Sequence, residues 1–519
     1  MKTDLSRRRI IQGAAVATGA LAVPQIFRGS WAAAASLPDP DKVLAGITPG
    51  NYVKKEYLKQ FNIGPKDLLW DPNKDWISTV DWEKVRSQFM GTTVRMAVGA
   101  ADADSVRSKL DTFQKLSGID VEVVPIPDAS LFDKAMTDFS SGAGRFDCIE
   151  YFSPYLGDFA APGYLHPIGD FADKWKFPID DFADTYRLNY SYFGDQMYGI
   201  PYDCDFQMIQ GRNKLIRQIT GSDLKQKGQI RTYDDLLDFA KQVNQPDQGH
   251  SGIALMTQRG FWATYTWQHV GAQFGLDMFD SDWEPLHDSE ASRKACEVIL
   301  ELQKSAPTGV TGWGWPENRQ AWLGGQTVMN IAWQDQGNQA TRPDQSNIWK
   351  DDIVSIYEPM GTGPDARFAP PNIAGSTSSV SKFAKRPEAA FLLLAFLNTA
   401  SFQAIDGANA DGVGTGYKSV LANENYRKIM TSADVWAAEV DYAWCAPRIP
   451  GALAMDITFG NELNAVFTGN KSIEDALADG KKRVRQIMKK NGFYSAKPPV
   501  DYASVADGLW LGKGKQPPY

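Results

Sequence analysis

Four histidines occur in the 519-residue chain, His166, His250, His269 and His287. None has the H-x-x-x-H or H-x-C spacing that lets one helix or turn offer two ligands to a zinc or copper ion. Cys148, Cys204, Cys296 and Cys445 are widely separated, with no C-x-x-C and no haem or iron–sulfur pattern. Four cysteines allow three disulfide pairings and the sequence does not choose among them; the wide spacing reads as buried free thiols. No G-x-G-x-x-G follows a strand pattern and no G-x-x-x-x-G-K-[ST] occurs, so dinucleotide and nucleotide-phosphate sites have no support. "GVGTGY" at 412–417 has the wrong glycine spacing for a phosphate loop and reads as a flexible loop. "SVSK" at 379–382 matches the S-x-x-K of penicillin-recognising enzymes but lacks the accompanying S-D-N and K-T-G. "DSDWEPLHDSE" at 280–290 gathers acids without the glycine and final glutamate of a calcium loop. The chain offers no catalytic constellation, no metal set and no cofactor motif.

The N-terminus carries an address. "SRRRIIQGAAVATGALAV" at 6–23 joins a basic segment to an apolar run of small residues. That run is well short of the roughly 20 residues needed to span a bilayer. An A-x-A cleavage pattern follows in "WAAAAS". Ser6, Arg7 and Arg8 before Ile10 and Ile11 resemble a twin-arginine signal, which exports folded proteins. The expectation is a cleaved signal over residues 1–35 and a periplasmic mature chain. Of 54 basic and 62 acidic side chains, residues 1–35 remove five and one, leaving 49 against 61. Nucleic acid is therefore not expected as a partner, because it needs a basic footprint.

Residues 36–90 lack long periodic runs and read as an extension wrapped on the surface, with a short helix near 80–88. From Gly91 the texture alternates. "TTVRMAVG", "IDVEVVPI" and "FDCIEY" are strand patterns, separated by the amphipathic "DSVRSKLDTFQKLSG" and "LFDKAMTDFSSG". The β-α-β-α-β rhythm predicts an α/β fold with a parallel sheet, whose ligands bind beyond the carboxyl ends of the strands. Further on, "TYDDLLDFAKQVN" has Thr232 as N-cap, "GIALMT" and "DIVSIYEPM" are strands, and "NRQAWLGGQTVMNIAWQDQ" reads as helix, glycine turn and strand. "RPEAAFLLLAFLNT" is a strongly apolar helix with Pro387 in its first turn. Ser472 and Asp475 form an S-x-x-D cap on the last long helix, which follows another near 460–467. A mature length near 480 residues predicts two lobes.

The order "GTTVRMAV", "FQKLSGIDVEVV", "LFDKAMTDFSSGAGRFDCIEY", "GYLHPI", "YGIPYDCDF", then "AWLGGQTVMNIAW", "PEAAFLLLAFLNTASFQ" and "PRIPG … NELNAVFTGNKSIEDALADGKKRVRQIM" resembles the extracellular solute-binding proteins of family 1, the maltose-binding-protein type. The likeness spans residues 91–490 and leaves 36–90 outside. It implies a two-lobed periplasmic binding protein fold of type II, with hinged lobes and an interlobe cleft. It divides the chain into a first lobe (91–204 and 357–420) and a second (205–356 and 421–519). It implies a monomeric binder of a mono- or disaccharide or a polyol, delivering it to the permease subunits of an ABC importer without a cofactor. The ligand contacts it implies are Asp102, Tyr151, Ser153 and Tyr155 at the strand ends of the first lobe, and Asp203 and Asp205 in the first hinge crossing. In the second lobe they are Trp262, Trp333, Asp335, Trp444 and Arg448. Asp456 stands near the place where maltodextrin binders carry a stacking aromatic, which points away from long oligosaccharides. Trp267 and Trp322 sit at helical spacing and read as packing. The rival class is a periplasmic carbohydrate-active or cofactor enzyme exported folded, which would need carboxyl pairs roughly 5–10 Å apart across the cleft.

Overall fold

The computed structural model describes residues 37–371 and 375–518; the proposed signal segment lies outside them. After a helix α1 (Trp82–Phe89) come β1 (Thr93–Gly99), α2 (Ala103–Ser117), β2 (Asp120–Ile126), α3 (Asp128–Ser141), β3 (Cys148–Phe152) and β4 (Gly199–Asp203). The chain then crosses to β5 (Gln207–Arg212), α4 (Tyr233–Val243), β6 (Ser251–Ala254), α5 (Phe261–Gln273), α6 (Glu290–Gln303), α7 (Trp315–Gly324), β7 (Thr327–Trp333), α8 (Gln334–Ala340) and β8 (Ile353–Ile356). It returns for β9 (Ser376–Val380), α9 (Pro387–Leu397) and α10 (Ala400–Asn409), and finishes with α11 (Ala452–Phe467) and α12 (Ile473–Lys490).

Two sheets result, one per lobe. The first has the order β2-β1-β3-β9-β4, with β1 parallel to β2 and β3, and β9 antiparallel to both β3 and β4. The second has the order β8-β5-β7-β6, in which only β6 and β7 are parallel. Each βα unit ends as its glycines require: Gly118 and Gly142 close α2 and α3 in the left-handed region, at φ 69° and 64°. Thr232 and Asp235 make a reciprocal capping box on α4, and Ser472 caps α12 through the Asp475 amide. The apolar α9 is buried over most of its surface, as an all-round hydrophobic helix must be. No single described helix is long and apolar enough to cross a membrane.

Two expectations are corrected by packing. Residues 37–90 are not a surface wrap. Trp76, Trp82, Val85 and Tyr57 are buried in the first lobe's core. Trp82 meets Phe113 and Phe396 edge-on, and its indole N–H donates to Ile77 O at 2.9 Å. Arg86 caps α2, donating to Leu116 O and Lys115 O at 2.9 and 2.7 Å, where helix carbonyls lack partners and the dipole favours a cation. The second correction concerns the expected 420/421 boundary. Val420 to Ala443 contributes Tyr426, Ile429, Trp436 and Val440 to the first core, so the last crossing falls near 443/444. The aromatic side chains decide both outcomes, because their apolar area finds cover in the first lobe: Trp82 against Phe113 and Phe396, Trp76 against Phe177, and Trp436 against Tyr186.

The extension also reaches the second lobe. Tyr57 donates to Asp344 Oδ1 at 2.6 Å, and the buried Arg342 guanidinium lies over the Tyr57 and Phe61 rings at 4.8 and 4.6 Å. Arg342 also donates to Ala408 O and Ile429 O, both at 3.1 Å, tying the segment after α8 to the first lobe. A Trp82→Ala substitution is expected to cost about 3–5 kcal/mol in equilibrium urea unfolding, as for a large core aromatic. A loss below about 0.5 kcal/mol, the usual range for surface changes, would restore the surface-wrap reading.

Candidate functional site

β1 ends at Gly99, where side chains from neighbouring elements occupy the space a Cβ would take. A Cβ there would stand 2.5 Å from Asp128 Oδ1, 3.3 Å from Asp102 Oδ2 and 3.6 Å from Glu150 Oε2. Three carboxyls thus converge on the carboxyl end of β1. The Gly99 N–H donates to Glu150 Oε2 at 3.1 Å. Burial pushes the Asp102 and Glu150 carboxyls up, and neighbouring carboxylates push further in the same direction.

The next acids lie where the chain leaves the first sheet. Asp203 closes β4 and accepts from the Gly414 N–H at 2.7 Å, while Asp205, two residues on, accepts from Gln334 Nε2 at 3.1 Å. Gln334 opens α8 in the second lobe and also accepts from the Phe206 N–H. Asp203 and Asp205 lie within hydrogen-bond reach of each other, and burial raises both. Two carboxyls in that arrangement share a proton. Asp335, next to Gln334, is pushed up to about 7 by burial against the opposing charge of Arg319. Among the described residues, no lysine, arginine or histidine nitrogen lies within 4.0 Å of the Asp102, Glu150, Asp203, Asp205 or Asp335 carboxyls. Asp406, by contrast, has Lys109 Nζ at 2.6 Å.

Aromatic rings line the facing wall. Trp262, in the first turn of α5, meets Trp333 at the end of β7 with ring centres 5.7 Å apart. Phe152 at the end of β3 reaches across to Phe261 and Tyr265 of α5, at 6.3 and 6.0 Å. The Gly451 N–H donates to Asp158 Oδ1 at 2.8 Å, a second bond between lobes. Beside it a small pocket is lined by Pro154, Tyr265, Gln268, Arg448 and Asp456.

The structure therefore gathers Asp102, Asp203, Asp205, Asp335, Trp262, Trp333 and Arg448 around the junction of the lobes. Tyr151 and Trp444 are elsewhere, which corrects two expected ligand contacts. Tyr151 is fully buried in a first-lobe core, with its hydroxyl 2.9 Å from Ser379 Oγ and its ring edge-on to Phe159. Alternate residues of a strand face opposite ways, so Glu150 and Phe152, not Tyr151, reach the cleft. Trp444 packs in the second-lobe core and bridges Pro371 and Trp510. Ser153 is fully buried, its hydroxyl bonded to Tyr190 and its N–H to Gly375 O. Tyr155 packs against Phe132 at 4.8 Å and stays half-buried. Sequence reasoning missed Glu150, Phe152, Gln334 and Gly414. The glycine spacing of "GVGTGY" was the available signal: a Cβ at Gly414 would stand 2.8 Å from Cys204 O, so only glycine brings its amide to Asp203.

The histidines and cysteines take no part. His269 and His287 are buried and held neutral, with pKa lowered to about 3, and all four cysteines are buried. Among the described residues no group of three His, Cys, Asp or Glu is placed to hold a metal.

The raised acids make stability fall with pH. Asp335 and Asp456 titrate near 7 when folded and near the ordinary carboxylate value when unfolded. Between those values the folded chain holds more protons, so stability is greatest at the acid end and is lost as pH rises through about 7. The melting temperature of ligand-free protein is expected to fall by several degrees from pH 5.5 to 8, and Asp335→Asn to reduce that fall. A pH-independent melting temperature would contradict the burial of these groups.

Comparison with known proteins follows the same lines. The family profile described as bacterial extracellular solute-binding protein matches residues 98–404. A Sinorhizobium fredii protein named "Probable amino-acid ABC transporter periplasmic-binding protein" is 22% identical over 419 residues, 78% of this chain and 91% of its own. The mannitol-binding protein of Pseudomonas aeruginosa is 23% identical over 220 residues, 42% of this chain and 49% of its own. Among solved structures, an ABC transporter solute-binding protein of Agrobacterium radiobacter in complex with ribitol superposes with TM-score 0.66 at 20% identity, covering 77% of this chain and 99% of that one.

Proposed function

Since the chain belongs to the bacterial extracellular solute-binding proteins, we propose that its cleft captures one small, neutral, hydroxyl-rich solute, a mono- or disaccharide or a polyol. Lobe closure then presents the loaded form to the permease of an ABC importer. The protein acts in the periplasm after loss of residues 1–35, as a monomer, without a cofactor and without chemical change to its ligand.

The observation that carries this reading is the set of cleft carboxyls that have no counter-ion. A buried carboxylate needs hydrogen-bond donors, and one left unpaired costs on the order of 1–3 kcal/mol or more. Asp102, Glu150, Asp203, Asp205 and Asp335 offer more acceptor sites than the donors of Gly99, Ser376, Gly414, Gln334 and Gln339 and the Asp335 and Gln336 amides fill. Ligand hydroxyls supply the remainder. The partly exposed Trp262 ring, held edge to face on the buried Trp333, provides a flat apolar face to cover sugar C–H surfaces. The names of two similar proteins, one binding mannitol and one holding ribitol, agree with the solute class.

A thermal-shift screen tests it. The panel holds D-mannitol, ribitol, monosaccharides, maltose, L-amino acids and putrescine. A sugar or polyol is expected to raise the melting temperature by mass action, about 2.7 kcal/mol of added stability at a hundred times Kd, and to be recovered unchanged. Stabilisation by amino acids or putrescine alone, or consumption of a stabilising sugar, would overturn the proposal.

A further inference from the structure

Three polar side chains around one small pocket have hydrogen-bonding capacity that nothing in the protein uses. Arg448 is about 95% buried, at 5% exposure, and its Nη1 donates to Ala446 O at 2.7 Å. Its Nε and Nη2, the forked edge of the guanidinium, have no protein partner among the described residues. The Tyr265 hydroxyl and Gln268 Oε1 are buried and unpartnered as well. All three line the same pocket with Asp456. Native proteins rarely leave such groups unpaired, and an isolated case already calls for a water, ion or ligand. Three around one space mark a built site.

Size and charge restrict the occupant. The pocket leaves about 20 Å3 for water-sized centres, room for one oxygen-sized group. Its walls hold one cation, Arg448, and one carboxyl, Asp456, which accepts a long hydrogen bond from Gln268 Nε2 at 3.5 Å. No Arg448–Asp456 ion pair forms within 4.0 Å, although the two charges act on each other. A carboxylate or phosphate group would satisfy the guanidinium but bring further oxygens into a one-oxygen space, against Asp456. An ammonium would satisfy Asp456 and oppose Arg448. A hydroxyl does both tasks: it accepts from one group and donates to the other.

We propose that the Arg448–Asp456 pocket is a specificity subsite for a single hydroxyl of the bound solute, which accepts from the Arg448 Nε–H and Nη2–H edge and donates to the Asp456 carboxylate. The inference rests on the sugar-or-polyol reading and refines it. The rest of the ligand lies toward the acids of the hinge, and its terminal hydroxyl enters beside Pro154. Asp456, where long-oligosaccharide binders stack a ring, then ends the cleft and limits ligand length.

The test combines ligand and protein changes, read by isothermal titration calorimetry with D-mannitol and ribitol. For whichever binds wild type, the analogue with both terminal hydroxyls replaced by hydrogen, so that neither orientation offers one to the pocket, is expected to bind at least about a hundredfold more weakly, since a site built to pair a hydroxyl rejects its absence strongly. Asp456→Asn and Arg448→Lys are expected to lose a similar factor for the parent polyol and little further for the deoxy analogue. The deoxy comparison needs only wild type, so it stands if either variant folds poorly. Parent and deoxy polyols binding wild type within about threefold would overturn the subsite and leave the solute-binding proposal intact. Equal losses for parent and deoxy ligands in the variants would give the pocket a structural role only and overturn it likewise. If neither polyol and no sugar binds wild type, the proposed function falls and the subsite with it.

Discussion

Five carboxyls taken out of water with no basic nitrogen of the described residues within 4.0 Å set the terms for this molecule. Asp102, Glu150, Asp203, Asp205 and Asp335 come from β1, β3, the first crossing and α8, and they meet only because both lobes contribute. Burial raises every one of them. Isolated buried carboxylates are costly enough that proteins normally pair or protonate them. Here the donors present are mostly amides, and those amides are fixed by the fold. Gly99 leaves room for the acids that crowd its Cβ position, and Gly414 must be glycine to bring its N–H to Asp203. The site is thus acceptor-rich by construction, and the lobes are held around it.

What holds them is distributed on two sides of the cleft. On one, Phe152 meets α5 and Asp158 meets Gly451. On the other, Arg342 reaches from the second lobe into carbonyls of the first, with Tyr57 and Phe61 of the extension covering its face. The extension therefore contributes to the core of one lobe and to the contact between both. Neighbours of this fold are covered to 99% of their length by 77% of this chain, which places much of the added length outside the shared architecture.

Much of this was legible from the residues. The strands β1 to β3 and helices α2 and α3 follow from periodicity ended by glycine, and the caps at Thr232 and Ser472 follow from residue type. Strand β9, "STSSV", carried no apolar alternation. It is central to its sheet because its hydroxyls find partners there: Thr377 donates to Tyr190 O at 2.9 Å, and Ser379 meets Tyr151. The extension gave one short helix near 80–88 and no longer period, and its aromatic burial depends on tertiary partners such as Phe113, Trp175 and Phe396 that no local pattern in it announces. At the site, the hinge acids Asp203 and Asp205 and the positions of Trp262 and Trp333 were pointed to by the family resemblance, and no local spacing showed that the two indoles would meet. Strand parity misled at Tyr151, where a shift of one residue turns a cleft contact into a core contact. The Arg448–Asp456 relation spans a loop and a helix turn, and no local spacing encodes it.

The central claim is that ligand hydroxyls complete the bonding of these carboxyls. Hydrogen bonds donated to a carboxylate favour its ionised form, so binding must shift the raised acids downward. Calorimetric titration of the best-binding polyol near pH 7, repeated in buffers of different ionisation enthalpy, measures the protons exchanged. The account predicts net proton release on binding. Binding with no proton exchange, or with proton uptake, would contradict it.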